Sequence, residues 1–231
     1  MTNERPNSGG RAILAVDLGT TSAKAVAVGE DGRVLASASV EYPLRMPAPG
    51  RAEQDPDEIE NAAAAALRAA AARAGLGPRD VRCVVFSAAM HSLIAVDRGG
   101  RPLTPSITWA DSRAAPQAER LKREGRAPAL YAATGTPVHP MSPLLKLMWL
   151  REREPDLFAR AHLFLGIKEY VLGKWFPGAE PVVDHSIASA TGLFGLAGRD
   201  WHGPALEAAG IAPDRLPRPV PATHVLDGLP R

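Results

Sequence analysis

Hydrophobic and polar positions alternate at the start of the chain and then break sharply. Residues 13–16 are apolar, Asp17 ends the run, Gly19-Thr20-Thr21-Ser22 follows, and a second apolar run covers 25–28. The pattern predicts a buried strand over about 12–16, a tight turn, and a return strand over about 24–28. Asp31-Gly32 is a hairpin signal, and alternation over 34–40 reads as a third strand. A proline-bearing loop leads to Asp55, a good helix N-cap, with Pro56 at the first helical position and Asp57, Glu58 and Glu60 at the positive helix end. The alanine-rich body runs to about 74, where Gly75 and Gly77 stop it.

The apolar run 81–87 predicts a buried strand, and 93–97 another. Further on, the pattern predicts helices over 114–124, 128–134, 143–153 and 167–174, with a short strand at 163–165. An extended run at 181–185 ends in an acid, 186–191 reads as helical, and a short helix covers 204–209. From Pro213 the chain is proline-rich and reads as extended. Strands, then a helix, then a strand, with more of both after, indicate an α/β domain with a mixed sheet.

Composition narrows the function classes. The chain has 231 residues, enough for one large domain or two small ones, and a formal net charge of +2 without a long basic block. That gives no support to nucleic-acid binding as the main role. The single cysteine, Cys83, lies in an apolar run and reads as a buried thiol in a reducing compartment. Residues 1–10 are polar, lack a signal-peptide core, and read as a flexible tail. No apolar run is long enough to span a bilayer, so a cytoplasmic protein without a membrane partner is expected. The six histidines show no His-x-x-x-His spacing, and no zinc site is expected.

Two readings of the Asp17 stretch stand side by side. Backbone N–H groups and the hydroxyls of Thr20, Thr21 and Ser22 suit a phosphate, and Asp17 suits a Mg²⁺ bridging phosphates. The same pattern fits an ordinary hairpin with a polar tip. Asp184 likewise reads as a cap for the helix that follows it. His91 reads as a satisfied loop histidine, Trp109 as packing, and Asp111 with Arg113 as a surface pair of little energy.

Several blocks in order change these readings. They are Asp17-Leu18-Gly19-Thr20-Thr21-Ser22, Ala52-Glu53-Gln54-Asp55-Pro56, Ser87-Ala88-Ala89-Met90-His91-Ser92, and Ile107-Thr108-Trp109-Ala110-Asp111-Ser112-Arg113. Gly166-Ile167-Lys168-Glu169-Tyr170 and the run from Asp184 to Gly192 complete the series. Together they resemble the FGGY family of carbohydrate kinases, over about 11–228. The runs Met90 to Ile94 and Ile187 to Gly192 resemble the gluconate kinase (gluconokinase) branch more than the glycerol or xylulose kinases.

The resemblance implies a ribonuclease H-like (actin-like ATPase) fold with a mixed five-stranded sheet flanked by helices. It implies ATP and Mg²⁺ as cofactors, with Asp17 as metal ligand and Asp17, Gly19, Thr20, Thr21, Ser22 and Lys24 around the phosphates. It makes Asp184 the general base, which one residue can combine with capping. It assigns sugar contacts to Met90, His91, Trp109, Asp111 and Lys168, and Lys168 or Arg113 would meet a gluconate carboxylate. The implied reaction moves the γ-phosphoryl of ATP to a sugar or sugar-acid hydroxyl, converting D-gluconate to 6-phosphogluconate. Family members carry a second, nucleotide-binding lobe with its own phosphate loop. No such loop is found here, so the chain reads as an N-terminal, sugar-binding lobe, catalytically incomplete by itself. A kinase lobe for another polyol and a non-catalytic sugar-acid binding module are the alternatives. A glycoside hydrolase using Asp111 and Asp184 leaves the Asp17 turn without a task.

Overall fold

The structure, a computed structural model, describes residues 11–228. The stretch 1–10, expected as a flexible tail, lies outside the described residues, as do 229–231. In chain order the elements begin with β1 (Ala12–Leu18), β2 (Ser22–Gly29), β3 (Val34–Glu41), β4 (Glu53–Gln54), α1 (Pro56–Arg73), β5 (Val81–Ala88), β6 (Ile94–Val96) and β7 (Ser106–Ile107). Then come α2 (Ala115–Arg123), α3 (Ala127–Thr134), α4 (Pro143–Arg153), α5 (Pro155–Arg160), β8 (Leu163–Leu165) and α6 (Ile167–Trp175). The last are β9 (Val182–Asp184), α7 (His185–Ser189), β10 (Phe194–Gly195), β11 (Asp200–Trp201), α8 (Gly203–Ala209) and β12 (Arg218–Val220). The α/β class expected from the pattern holds. The chain forms two compact units, 11–42 with 59–88, and 43–58 with 89–228.

The first unit is built on a mixed sheet in the order β3-β2-β1-β5, antiparallel except for the parallel β1–β5 pair. Its period of two is plain. Leu14, Val16 and Leu18 of β1 are buried, and their cross-strand partners Ala27, Ala25 and Ala23 of β2 are buried with them. On α1 the buried set is Ile59, Ala62, Ala63, Ala66, Leu67 and Ala70, the spacing of one helical face. Asp55 caps this helix as expected, its Oδ1 accepting from Asp57 N at 2.9 Å and Glu58 N at 3.3 Å.

Two expectations need correction here. Among the described residues the sheet has four strands, not five, because β6 pairs with β8 instead of extending it. The strand expected to be buried, β5, is half exposed, and Cys83 is an exposed thiol. The reason is position. With β1 on one side only, β5 is an edge strand, and its apolar sequence does not enclose it.

The second unit has its main core around α4. Leu144, Leu145, Leu147, Met148 and Leu150 of this helix are buried with Ala118 and Leu121 of α2, Phe158 of α5, and Ala205, Leu206, Ala208 and Ala209 of α8. A helix apolar on nearly every side belongs in the middle of a core. The unit also contains small two-stranded pairings: β4–β7, β6–β8 and β10–β11 antiparallel, β9–β12 parallel. The stretch before Pro56, expected as loop, contains β4. The segment after Pro213, expected to be extended throughout, has a 3-10 turn at Pro213–Arg215 before β12.

Candidate functional site

The Asp17 turn closes the β1–β2 hairpin of the first unit. Gly19 N donates to Ser22 O at 3.0 Å. A Cβ on Gly19 would lie 3.1 Å from Ser22 O and 3.7 Å from Asp17 Oδ2, so glycine lets the turn shut on itself. Asp17 and Lys24 are cross-strand partners, both exposed. Tyr42 secures the turn from behind. Its hydroxyl donates to Gly19 O at 2.6 Å, and its N–H donates to Thr21 O at 3.1 Å. Burial, and then the Asp17 carboxylate, hold the Tyr42 hydroxyl above the usual phenol range, so it stays protonated and donating. Tyr42 was not foreseen, since it lies where the sequence turns into loop.

The second unit gathers most other expected site residues around loop 89–92. His91 takes φ 67, an uncommon left-handed conformation for a non-glycine residue. Its Nδ1 lies 2.7 Å from Ala190 O, at the end of α7. Burial pushes the imidazole pKa down. A neutral ring that donates from Nδ1 keeps an acceptor lone pair on Nε2. Ser92 Oγ accepts from Ile167 N at 2.9 Å, at the start of α6. The same loop therefore anchors the helices that follow Asp184 and that carry Lys168.

Asp184 ends β9 and caps α7. Its Oδ1 accepts from Ser186 N at 2.9 Å and Ile187 N at 3.2 Å. Oδ2 pairs with the Lys168 ammonium. Lys168 is buried and also lies 3.5 Å from Glu169 Oε1. Glu169 is buried, and burial raises its pKa, with the Lys168 charge opposing the shift. The cap reading of Asp184 is correct for one oxygen, and the other is engaged by Lys168.

Trp109 and Asp111 follow β7 and differ sharply. Trp109 is 48% exposed and Met90 is exposed too, so both present apolar surface. Asp111 is buried. Its Oδ1 accepts from Arg113 N at 3.0 Å and Arg113 Nε at 2.9 Å, and its Oδ2 from Ala52 N at 2.8 Å and Arg113 Nη2 at 2.7 Å. Four donors fill its acceptor positions. Asp111 thus shapes the segment behind Trp109, and a direct sugar contact would require one of these bonds to break. Arg113 also pairs with Glu53 and lies over the Trp149 ring at 5.1 Å. The Asp111–Arg113 pair is buried, not the surface pair of the simplest reading, and its guanidinium is committed to protein groups instead of a substrate carboxylate.

One residue escaped sequence reasoning altogether. Lys146 of α4 is fully buried, and its Nζ donates to His91 O, to Ile107 O at 3.1 Å and to Thr108 O at 2.8 Å. A lysine among leucines reads as the solvent face of a helix, so no local signal marks it.

Comparison with known proteins places the chain in a family. Residues 12–229 match the N-terminal domain of the FGGY family of carbohydrate kinases. A gluconokinase of Bacillus subtilis is 42% identical over 214 residues, 92% of this chain and 41% of that protein. A glycerol kinase of Paracidovorax citrulli is 32% identical over 91% of the chain and 42% of its own length. Among solved structures, a gluconate kinase from Lactobacillus acidophilus superposes with a TM-score of 0.91 at 32% identity, covering 96% of this chain and 44% of that one. A xylulose kinase from Rhodospirillum rubrum gives 0.84 at 30% identity, covering 91% and 43%. The chain thus spans about two fifths of the length of the curated relatives it matches. Its fold is the actin-like ATPase fold of these kinases, and the chain belongs to the FGGY family of carbohydrate kinases, whose N-terminal domain it matches.

Proposed function

We propose that the chain is the sugar-binding lobe of an ATP-dependent kinase whose acceptor is D-gluconate and whose product is 6-phosphogluconate. The observation that carries this reading is the placement of Asp184. One oxygen is fixed by two α7 amides, and the other, paired with Lys168, keeps a second lone pair that can accept from a substrate hydroxyl. A carboxylate oriented in this way can take the proton of the attacking hydroxyl as the γ-phosphoryl is transferred and ADP leaves. His91 Nε2 suits a hydroxyl donor, and Trp109 and Met90 suit the carbon face of a polyol. Lys168, beside Asp184, is the cation that would meet a sugar-acid carboxylate in this reading. Gluconate is preferred over glycerol because the match to gluconokinase, 42% identity, exceeds that to the glycerol kinases, 30–34%.

For the nucleotide, the Asp17 turn fits Mg²⁺ better than a soft or many-ligand cation. Among the described residues there is no cluster of three His, Cys, Asp or Glu. A cation at Asp17 would draw its other oxygens from phosphate and water, as Mg²⁺ does. Thr20, Thr21 and Ser22 would hold the phosphates, with Gly19 allowing close approach and Lys24 adding charge.

Titration calorimetry on the chain tests the reading. Gluconate is expected to bind, with glycerol and xylulose at least about tenfold weaker, a difference of about 1.4 kcal/mol. Equal affinity for the three, or no gluconate binding, sinks the assignment.

A further inference from the structure

Buried lysines ordinarily sit beside a carboxylate. Lys146 does not: among the described residues no carboxylate forms an ion pair with it, and the nearby Asp111 is occupied by Arg113. Its partners are three backbone carbonyls. An ammonium has three N–H groups, and here each has an acceptor. The carbonyls belong to two segments, loop 89–92 with Met90 and His91, and the end of β7 that leads into Trp109. The φ of His91 is one that a loop of this composition does not favour unaided.

We propose that Lys146 is a positioning residue for sugar binding, its ammonium tying loop 89–92 to residues 107–108 and so setting the spacing between His91 and Trp109. The inference rests on the sugar-site reading above.

Charge state follows from the same geometry. Burial lowers the Lys146 pKa to about 7, with Asp111 opposing the shift and Arg113 aiding it. The other titratable group beside it, His91, is itself pushed towards neutrality by burial. Loss of the proton leaves two donors for three carbonyls and turns a lone pair on one of them. The folded pKa lies below the ordinary lysine value of about 10.4, so this group's contribution to stability grows as pH rises above about 7. Its hold on the two segments weakens over the same range. Affinity and stability therefore move in opposite directions, which a purely structural lysine does not produce.

The test is gluconate titration into the 231-residue chain, native and Lys146→Met, from about pH 6 to about pH 9, with Tm measured alongside. ¹H–¹⁵N spectra follow the His91 amide and the Trp109 indole, with the Trp175 indole as control. Native affinity is expected to fall about tenfold across the range while Tm does not fall, one lost hydrogen bond being worth about that much. Lys146→Met is expected to bind weakly at every pH, with the His91 and Trp109 signals displaced and Trp175 unmoved. A folded Lys146→Met that binds as the native chain does overturns the proposal. If the variant does not fold, the native series decides, and a flat affinity profile overturns the proposal. If the native chain binds no gluconate at any pH, the sugar-site reading fails, and unmoved His91 and Trp109 signals in the variant then overturn the positioning role separately.

Discussion

At the scale of single residues, Asp184 caps α7, and substitution can separate that cap from the proposed role as base. Asparagine caps a helix about as well as aspartate, whereas alanine loses about 1 kcal/mol. Both substitutions lose the ion pair with the buried Lys168, so both are expected to lower Tm, and Asp184→Ala, which loses the cap as well, by about 2–4 °C more than Asp184→Asn. With the chain joined to the nucleotide-binding lobe of a related gluconokinase, both should lose about 10²–10⁴-fold in ADP formation from ATP and gluconate. Retained turnover in Asp184→Asn would remove it as the base. Glu169 gives a pH signature. Its folded pKa is raised above the ordinary 4.5, so the protonated form stabilises the fold below that value and the contribution is lost as pH rises through the folded pKa. Glu169→Gln should lack this loss and be more stable by about 1 kcal/mol at pH 7, with no gain near pH 4. Parallel Tm–pH curves for the two chains would contradict the burial argument. Residues such as these were the hardest to read in advance. Asp184 is legible as a cap because the cap rule is local, and Lys146 is illegible because its three carbonyls come from positions 91, 107 and 108.

At the scale of elements, local rules worked where an element makes its own periodicity. The β1–β2 hairpin, α1 and α4 fall where alternation, capping and punctuation place them, α4 with the expected bounds. They failed where the neighbour decides. The Val81–Ala88 run has the composition of an enclosed strand, yet nothing in it records that β1 is its sole partner in the sheet. Two-residue strands such as β4 and β11 have no period to detect. The edge position of β5 has a chemical readout. Cys83 is exposed, so the folded chain should react with a maleimide at a rate within about tenfold of a free cysteine thiol, without denaturant. Protection until unfolding would show that the edge is covered in solution.

At the scale of the whole molecule, the proposed site residues fall in two compact units. The Asp17 turn and its Tyr42 support belong to one, and loop 89–92 with Asp184 belongs to the other. Helix α1 has its first turn in the second unit and its body in the first, so one continuous helix belongs to both. Family membership was legible because motif blocks keep their order even where single residues are ambiguous. The strand count was not, because it depends on which pieces of chain meet in space. Loop 89–92 is where three helices converge: Lys146 of α4 holds His91 O, the first amide of α6 rests on Ser92, and His91 reaches the end of α7. On the proposed sugar-binding role of this loop, acceptor preference in this chain is a poor candidate for short-loop exchange. Four residues of other composition placed here would still have to meet Lys146, the Ile167 amide and the Ala190 carbonyl, so a change of specificity is expected only when those supporting helix ends are changed with them.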